Sequence, residues 1–237
     1  MPASTGPHLG VLAFGDSITN GGGELQWGVA LQSWAMWTAR GLGLPYTGYA
    51  VDGADAAHLL VEQIPAFRAR AADPDGPYDL GCLYIGVNDV RAPSWDGPVF
   101  AARHGDALAF LHERCARVVC LTPPLDLGRP PAGPEKVAAL RDAVRANAAA
   151  QGALIVSLEG FGARNHVMVD RVHPTAFGQV AIARRVLAAL AADGMDVRVD
   201  PARLIAPGGR SRARALRGDW TYAYRDFKQR LRELLGS

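Results

Sequence analysis

The sequence predicts an α/β fold, a three-layer α/β/α sandwich built around a central, mostly parallel, five-stranded sheet. Short apolar runs alternate with longer segments whose apolar residues recur at helical spacing, and this alternation is typical of parallel sheets covered by helices. The runs are continuously apolar, as expected of strands buried on both faces. A chain of 237 residues is long enough for one such domain.

Five apolar runs predict the strands, at residues 10–14, 46–51, 80–85, 118–122 and 154–158. Five segments of helical periodicity predict the helices, at residues 27–40, 54–71, 99–114, 134–150 and 175–192. The proline-rich segment 122–134 predicts an ordered surface loop that could lie over the site. In parallel sheets, ligands bind beyond the carboxyl ends of the strands, so the residues found there are the first functional candidates.

Charge divides the chain into a domain at residues 1–206 and a basic tail at residues 207–237. The whole chain has a net charge of +2, whereas the tail contains eight Lys or Arg and three Asp or Glu. The tail ends in an amphipathic helical pattern, which we expect to dock on the body or to form a homo-oligomer, with membrane contact as the less favoured alternative. We expect no nucleic-acid partner. The apolar stripe of this pattern comprises Tyr224, Phe227, Leu231, Leu234 and Leu235.

The compartment is predicted to be the cytoplasm. No apolar run approaches the ~20 residues of a membrane span, and the N-terminus lacks the basic and apolar regions of a secretory signal. Cys82 and Cys120 are expected to be inert residues in buried strands, and Cys115 is expected to end a helix. Their odd number and irregular spacing argue against disulfides and against zinc ligation. We expect neither a metal nor a cofactor.

Three residues at the predicted rim of the sheet have the chemistry of a nucleophilic hydrolase. Ser17 follows the first strand, and its hydroxyl needs an adjacent base to become a strong nucleophile. His173 can be this base. Asp170 precedes the histidine by three residues, within reach of the ring nitrogen that faces away from the serine. Two of them have a plainer interpretation when taken alone. Asp16 and Ser17 could simply cap the first helix, and His173 could be an ordinary histidine at a helix start.

An oxyanion hole also needs fixed hydrogen-bond donors. The backbone N–H groups of Ser17 and Gly53 and the side-chain amide of Asn88 are the candidates. Asn88 together with Asp89 could instead be an ordinary turn. Two further residues near these positions, His166 and Trp95, could contact the substrate, whereas Trp27, Trp34 and Trp37 recur at near-helical spacing typical of a core.

These motifs resemble the sequence blocks of the SGNH/GDSL hydrolase family. The matching residues are GDSIT at 15–19, Gly53, GVND at 86–89 and DRVHP at 170–174, in the order of the family. The resemblance implies a flavodoxin-like SGNH fold, a triad of Ser17, Asp170 and His173, and oxyanion donors at Ser17, Gly53 and Asn88. Two positions depart from the usual pattern, namely Ile18 in place of leucine and the acidic Asp52 before the glycine.

The activity predicted from these residues is that of a serine esterase. It would hydrolyse an acyl or acetyl ester of a small molecule, lipid or sugar through an acyl-enzyme. An acyltransferase that uses the same triad and a catalytically silent α/β binding module are the alternatives.

Overall fold

The computed structural model describes residues 9–26, 28–71, 76–124, 127–162, 165–206 and 212–235. A single five-stranded sheet lies at the centre of this described part, and all of its strand pairs are parallel. The strand order is β2-β1-β3-β4-β5, the order of flavodoxin-like folds. This confirms the predicted fold class. The strands are β1 (Val11–Gly15), β2 (Tyr46–Gly48), β3 (Tyr78–Tyr84), β4 (Cys115–Thr122) and β5 (Leu154–Ser157).

Helices cover the sheet. The described α-helices are α1 (Ser17–Asn20), α2 (Trp34–Leu42), α3 (Ala56–His58), α4 (Ile64–Arg70), α5 (Val87–Arg91), α6 (Gly97–His112), α7 (Pro134–Gln151), α8 (Ala176–Ala192) and α9 (Arg212–Leu235). A π-helical turn (Leu59–Gln63) joins α3 to α4, and a 3-10 turn (Pro201–Leu204) precedes α9. Helix α2 packs on α8, and α6 packs on α7. These two pairs form the main helical contacts of the outer layers.

The core forms where the apolar faces of these elements meet the sheet. Phe14 of β1 is in edge contact with Phe67 and Phe110, at ring-centroid distances of 5.9 and 5.7 Å, which is a favourable aromatic geometry. Trp34 and Trp37 are buried in the core, as their spacing predicts. Trp27 lies outside the described residues.

Three local predictions need correction. Helix α2 begins at Trp34 rather than at residue 27, because Ser33 caps it by accepting a hydrogen bond of 3.1 Å from the N–H of Met36. Cys115 begins strand β4 instead of ending a helix. Strand β2 ends at Gly48, before the end of its apolar run, since this edge strand pairs with β1 over three residues only. The three cysteines are free and buried, and Cys82 and Cys120 lie in buried strands as predicted.

Helix α9 docks on the body with an unexpected face. Tyr222 is buried, and Arg225 forms an ion pair of 2.6 Å with Glu24. Most of the predicted apolar stripe faces solvent instead, since Tyr224 is 63% exposed and Leu234 is 83% exposed. The expectation that this stripe packs on the body is therefore wrong, because residues on the opposite side of the helix make the contacts.

Candidate active site

Ser17 lies directly after strand β1, as the first residue of helix α1. Asp16 is the N-cap of that helix, and its carboxylate accepts a hydrogen bond of 2.9 Å from the N–H of Ile18. The first N–H groups of a helix have no partner within it. Ser17 therefore presents both a hydroxyl and a backbone N–H that helix α1 does not use, and it is partly exposed whereas Asp16 is buried.

Two buried glutamines fix the backbone on either side of Ser17. Gln63 accepts a hydrogen bond of 3.1 Å from the N–H of Gly15 and donates one of 2.8 Å to the carbonyl oxygen of the same residue. Gln179 donates a hydrogen bond of 3.0 Å to the carbonyl oxygen of Ile18. Neither glutamine is among the candidates predicted from the sequence. Each is a polar residue inside an apolar helical pattern, which was the available signal.

His173 and Asp170 lie on a tight turn that precedes helix α8. Oδ1 of Asp170 accepts hydrogen bonds from the backbone N–H groups of Val172 (2.9 Å) and His173 (3.0 Å). Arg171 has a φ of 58°, a left-handed conformation that costs a non-glycine residue roughly 1–2 kcal/mol. The turn leaves Oδ2 of Asp170 facing the imidazole ring.

The structure brings Ser17, His173 and Asp170 into one chain of hydrogen bonds. The Oγ atom of Ser17 lies 2.8 Å from Nε2 of His173, although 156 residues separate them. On the other side of the ring, Nδ1 of His173 lies 2.7 Å from Oδ2 of Asp170. A serine, a base and a group that orients the base, each within hydrogen-bond reach of the next, can together activate the hydroxyl for nucleophilic attack.

Gly53 lies in the loop after strand β2, beside the turn that carries Ser17. The N–H of Val51 donates a hydrogen bond of 3.2 Å to the carbonyl oxygen of Gly15, and Nδ2 of Asn20 donates one of 2.8 Å to Asp52. The unusual acidic residue at position 52 thus ties the loop to helix α1. Gly53 has a φ of 77° and open space where a Cβ would be. The backbone conformation alone therefore favours glycine there.

Asn88 lies in the first turn of helix α5, after strand β3. Its Nδ2 donates a hydrogen bond of 2.8 Å to the carbonyl oxygen of Ala54. The carboxylate of Asp89 accepts a hydrogen bond from the N–H of Ala56, with both oxygens at 3.1 Å. Gly86 makes the turn possible, because it has a φ of 117° and a Cβ there would lie 2.6 Å from a methyl group of Leu140. This contact between Asp89 and the loop was not predicted from the sequence.

The charges of the site favour a basic histidine. The hydrogen bond that the His173 ring donates to the carboxylate of Asp170 raises the pKa of His173 above its usual value, against the effect of burial, and the charges of Asp16 and Asp52 raise it further. Burial raises the pKa of Asp170, but the hydrogen bonds from the ring and backbone of His173 and from the backbone of Val172 together hold it below its usual value. Burial also raises the pKa of Asp16, to about 7.

The other candidates, His166 and Trp95, pack on aromatic neighbours. The ring of His166 stacks on Phe161 at a centroid distance of 5.6 Å, and Trp95 packs on Phe100 at 5.5 Å. The proline-rich segment reaches the turn before α8, since the N–H of Gly128 donates a hydrogen bond of 3.1 Å to the carbonyl oxygen of Arg171. In the described ranges, no group of three His, Cys, Asp or Glu side chains is arranged to hold a metal ion.

Comparisons with known proteins place this geometry in context. No curated protein matches the chain at a significant level. A member of the lipolytic G-D-S-L family from Veillonella parvula matches with a TM-score of 0.62 and 19% identity, over 77% of this chain and 98% of that chain. A catalytic mutant of the acetylxylan esterase Axe2 from Geobacillus stearothermophilus matches with a TM-score of 0.61 and 17% identity, over 80% of this chain and 96% of that one.

An α/β hydrolase from the metagenome of Lake Arreo, LAE5, has a TM-score of 0.60 and 19% identity, over 77% of this chain and 94% of that chain. These likenesses show the fold. The model of the GDSL-like lipase/acylhydrolase family matches residues 13–181, a range that includes Ser17, Gly53, Asn88, Asp170 and His173. The chain belongs to the GDSL-like lipase/acylhydrolase family and is a carboxylic ester hydrolase.

Proposed function

We propose that the protein is a serine esterase that cleaves an acyl or acetyl ester of a small molecule, lipid or sugar through an acyl-enzyme. The observation that carries this proposal is the hydrogen-bonded chain from Ser17 Oγ to His173 Nε2 and from His173 Nδ1 to Asp170. Each member is partly exposed, with the side chains of His173 and Asp170 at 32% and 40%. A substrate can therefore reach the serine.

In the first half of the reaction, Oγ of Ser17 attacks the carbonyl carbon of the ester. Nε2 of His173 takes the hydroxyl proton, and Asp170 keeps Nδ1 protonated and stabilises the imidazolium that forms. The carbonyl oxygen becomes an oxyanion. When the tetrahedral intermediate collapses, the bond to the alcohol breaks, His173 returns the proton to the departing alcohol oxygen, and the acyl group stays on Ser17.

Three N–H groups stabilise the oxyanion in this proposal. They are the backbone N–H groups of Ser17 and Gly53 and the side-chain amide of Asn88. Asn88 uses one N–H for the carbonyl oxygen of Ala54, so its second N–H is the one assigned to the oxyanion. Donors that are fixed before the reaction need no reorganisation as charge develops, which makes them effective in the transition state.

In the second half, water replaces the alcohol. His173 takes a proton from the water as its oxygen attacks the acyl carbon, and the same N–H groups hold the new oxyanion. Collapse of this intermediate releases the carboxylic acid and returns the proton to Oγ of Ser17. Acetyl esters of sugars belong in the substrate panel because the structural neighbour Axe2 is described as an acetylxylan esterase.

Fluorophosphonate labelling of the purified protein, combined with a panel of p-nitrophenyl esters of increasing chain length and of acetylated sugars, tests the proposal. The wild type should be labelled on Ser17 and should hydrolyse at least one ester, and Ser17→Ala should lose both properties. Ser157→Ala is the matched control, because Ser157 also ends a parallel strand, but its Oγ accepts a hydrogen bond from the N–H of Glu159.

Two results would contradict the proposal. Labelling of Ser17→Ala at the wild-type rate would show that the nucleophile is another residue. The product ratio in the presence of an added alcohol separates hydrolysis from acyl transfer. Predominant formation of the new ester over the free acid would identify an acyltransferase, which uses the same acyl-enzyme but a different acceptor.

A further inference from the structure

Several ion pairs join helix α9 to the body. Besides the ion pair between Arg225 and Glu24, Arg129 forms an ion pair of 3.1 Å with Glu233 and also pairs with Asp226. Asp226 and Glu233 are seven residues apart, two turns along one side of the helix. Two of the three acidic residues of α9 therefore form ion pairs with the body.

The opposite side of α9 is apolar and exposed. Its large side chains follow one another at intervals of three or four residues, apart from the adjacent last pair, so they form a stripe along one face. Trp220 is 77% exposed and Leu234 is 83% exposed. An exposed apolar surface of this extent indicates an interaction site. The outer stripe comprises Leu216, Trp220, Tyr224, Phe227, Leu231, Leu234 and Leu235.

Positive charge accompanies this outer stripe. Helix α9 contains seven Lys or Arg and only three Asp or Glu. Arg217, Lys228 and Arg232 are exposed, and the ammonium group of Lys228 lies 5.9 Å from the centre of the Tyr224 ring. At 3.6 residues per turn, Arg217 and Lys228 lie along one edge of the stripe. The outer surface of α9 thus combines aromatic and aliphatic side chains with a basic border.

We propose that the outer stripe of α9 binds the surface of an anionic lipid bilayer. Helices that lie in the membrane interface have Trp, Phe and Leu on one face and Lys or Arg beside it, and both features contribute to binding. In the described ranges, no helix has the length and apolar character needed to cross a bilayer. This binding is additional to the proposed esterase reaction and does not depend on it.

Charge complementarity favours lipid over other partners. In an antiparallel pair of α9 helices from two copies, the edge that carries Arg217 and Lys228 would face the same edge of the other helix, and like charges at such positions oppose pairing. A nucleic acid would neutralise the basic residues but would leave the apolar stripe uncovered. An anionic bilayer can contact both the basic border and the apolar stripe. Its headgroups attract the basic side chains, and its acyl region accepts the aromatic and aliphatic side chains.

Co-sedimentation of the full-length protein with vesicles tests this inference. Vesicles of phosphatidylcholine with 40% phosphatidylglycerol should bind the protein, and vesicles of pure phosphatidylcholine should bind it much more weakly. The double substitution Trp220→Ser and Leu234→Ser should abolish binding. Val61→Ser is the matched control, because Val61 is an apolar residue on the body with 65% exposure, and it should bind like the wild type.

The electrostatic contribution to vesicle binding is tested with separate variants. Lys228→Gln and Arg232→Gln should each reduce the partition coefficient about fivefold, and binding should weaken between low and high salt. All of these side chains are exposed, so the melting temperature should stay close to that of the wild type. A readout of vesicle binding is independent of ester hydrolysis, so failure of one proposal does not affect the other.

Three outcomes would overturn the inference. The first is no binding to the phosphatidylglycerol vesicles, and the second is wild-type binding by the doubly substituted protein. The third is a dimer, measured by light scattering, that the same double substitution converts to a monomer. That result would identify a second copy of the chain as the partner of the stripe.

Discussion

Asn88 donates a hydrogen bond of 2.8 Å from Nδ2 to the carbonyl oxygen of Ala54, the residue that follows Gly53. One side chain therefore joins two of the proposed oxyanion donors, because it offers an N–H itself and also fixes the loop that presents the N–H of Gly53. These two effects of Asn88 can be separated by experiment.

Asn88→Ala should lower kcat by about 10²–10³, since a donor to the oxyanion acts mainly in the transition state. KM for a p-nitrophenyl ester should change little. Steady-state kinetics on the most rapidly hydrolysed ester of the panel provide the measurement, and a change in KM alone would show that Asn88 only binds the substrate.

Asp89→Ala is the control for movement of the loop. It removes the acceptor for the N–H of Ala56 but leaves the amide of Asn88 in place. We expect both variants to lose some thermal stability, whereas kcat should fall much less in Asp89→Ala. Equal losses of kcat would indicate that the position of the loop matters more than the hydrogen bond from Asn88.

The pH dependence of kcat/KM should report the ionisation of His173. The imidazole accepts a proton from Ser17 only when it is neutral, so activity should rise with pH through its pKa, which Asp170 holds above the usual value. In Asp170→Asn this midpoint should move to lower pH, and kcat should fall by up to ~10⁴. A midpoint that stays in place would show that another group controls the profile.

Asp16 should make the protein less stable as the pH rises. Burial raises its pKa in the folded protein to about 7, well above the usual value of an aspartate. Folding therefore favours the uncharged form of Asp16. The stability that the folded protein gains from this preference is fully present below pH 4 and is lost as the pH rises through 7. Asp16→Asn stays uncharged and keeps an acceptor for the N–H of Ile18.

The difference in melting temperature between Asp16→Asn and the wild type should consequently be larger at pH 8 than at pH 5, by several degrees. Asp96→Asn provides the comparison, because Asp96 caps helix α6 by the same kind of hydrogen bond but is exposed. It should show no comparable increase. A difference for Asp16→Asn that is independent of pH would contradict the assigned protonation state.

Arg129 should control how firmly α9 is held. It is only 13% exposed and pairs with two acidic residues of that helix, so Arg129→Gln removes two of the ion pairs that join α9 to the body. Hydrogen exchange should become faster in α9 while the sheet remains protected. Arg117→Gln, which breaks an ion pair with Asp193 elsewhere, should leave exchange in α9 unchanged.

The strands were predictable because a parallel sheet buried on both faces requires continuous apolar runs. Strand β4 begins earlier than predicted because its first residues alternate, with Cys115 buried and Ala116 exposed, a pattern that does not appear as an apolar run. The packing of helix α9 differs from the prediction for another reason. Its apolar stripe is real, but the ion pairs formed by Arg129 and Glu24 hold the helix by its other side.

The candidate residues could be found from the sequence because they occur in short motifs at strand ends. The groups that position them could not, since their contacts are distant along the chain. Gln179 reaches the turn after Ser17 across 161 residues, and Gln63 reaches Gly15 across 48. Such pairs become visible only when the strand order and helix packing are known.

The all-parallel sheet also determines when the site forms during folding. Each neighbouring strand pair requires a crossover, and Ser17 meets His173 only after the segments at both ends of the domain have come together around β1, β3, β4 and β5. Contacts of such large sequence separation form slowly. Recovery of ester hydrolysis after dilution from denaturant should therefore report completion of the whole domain, while helical signals return earlier.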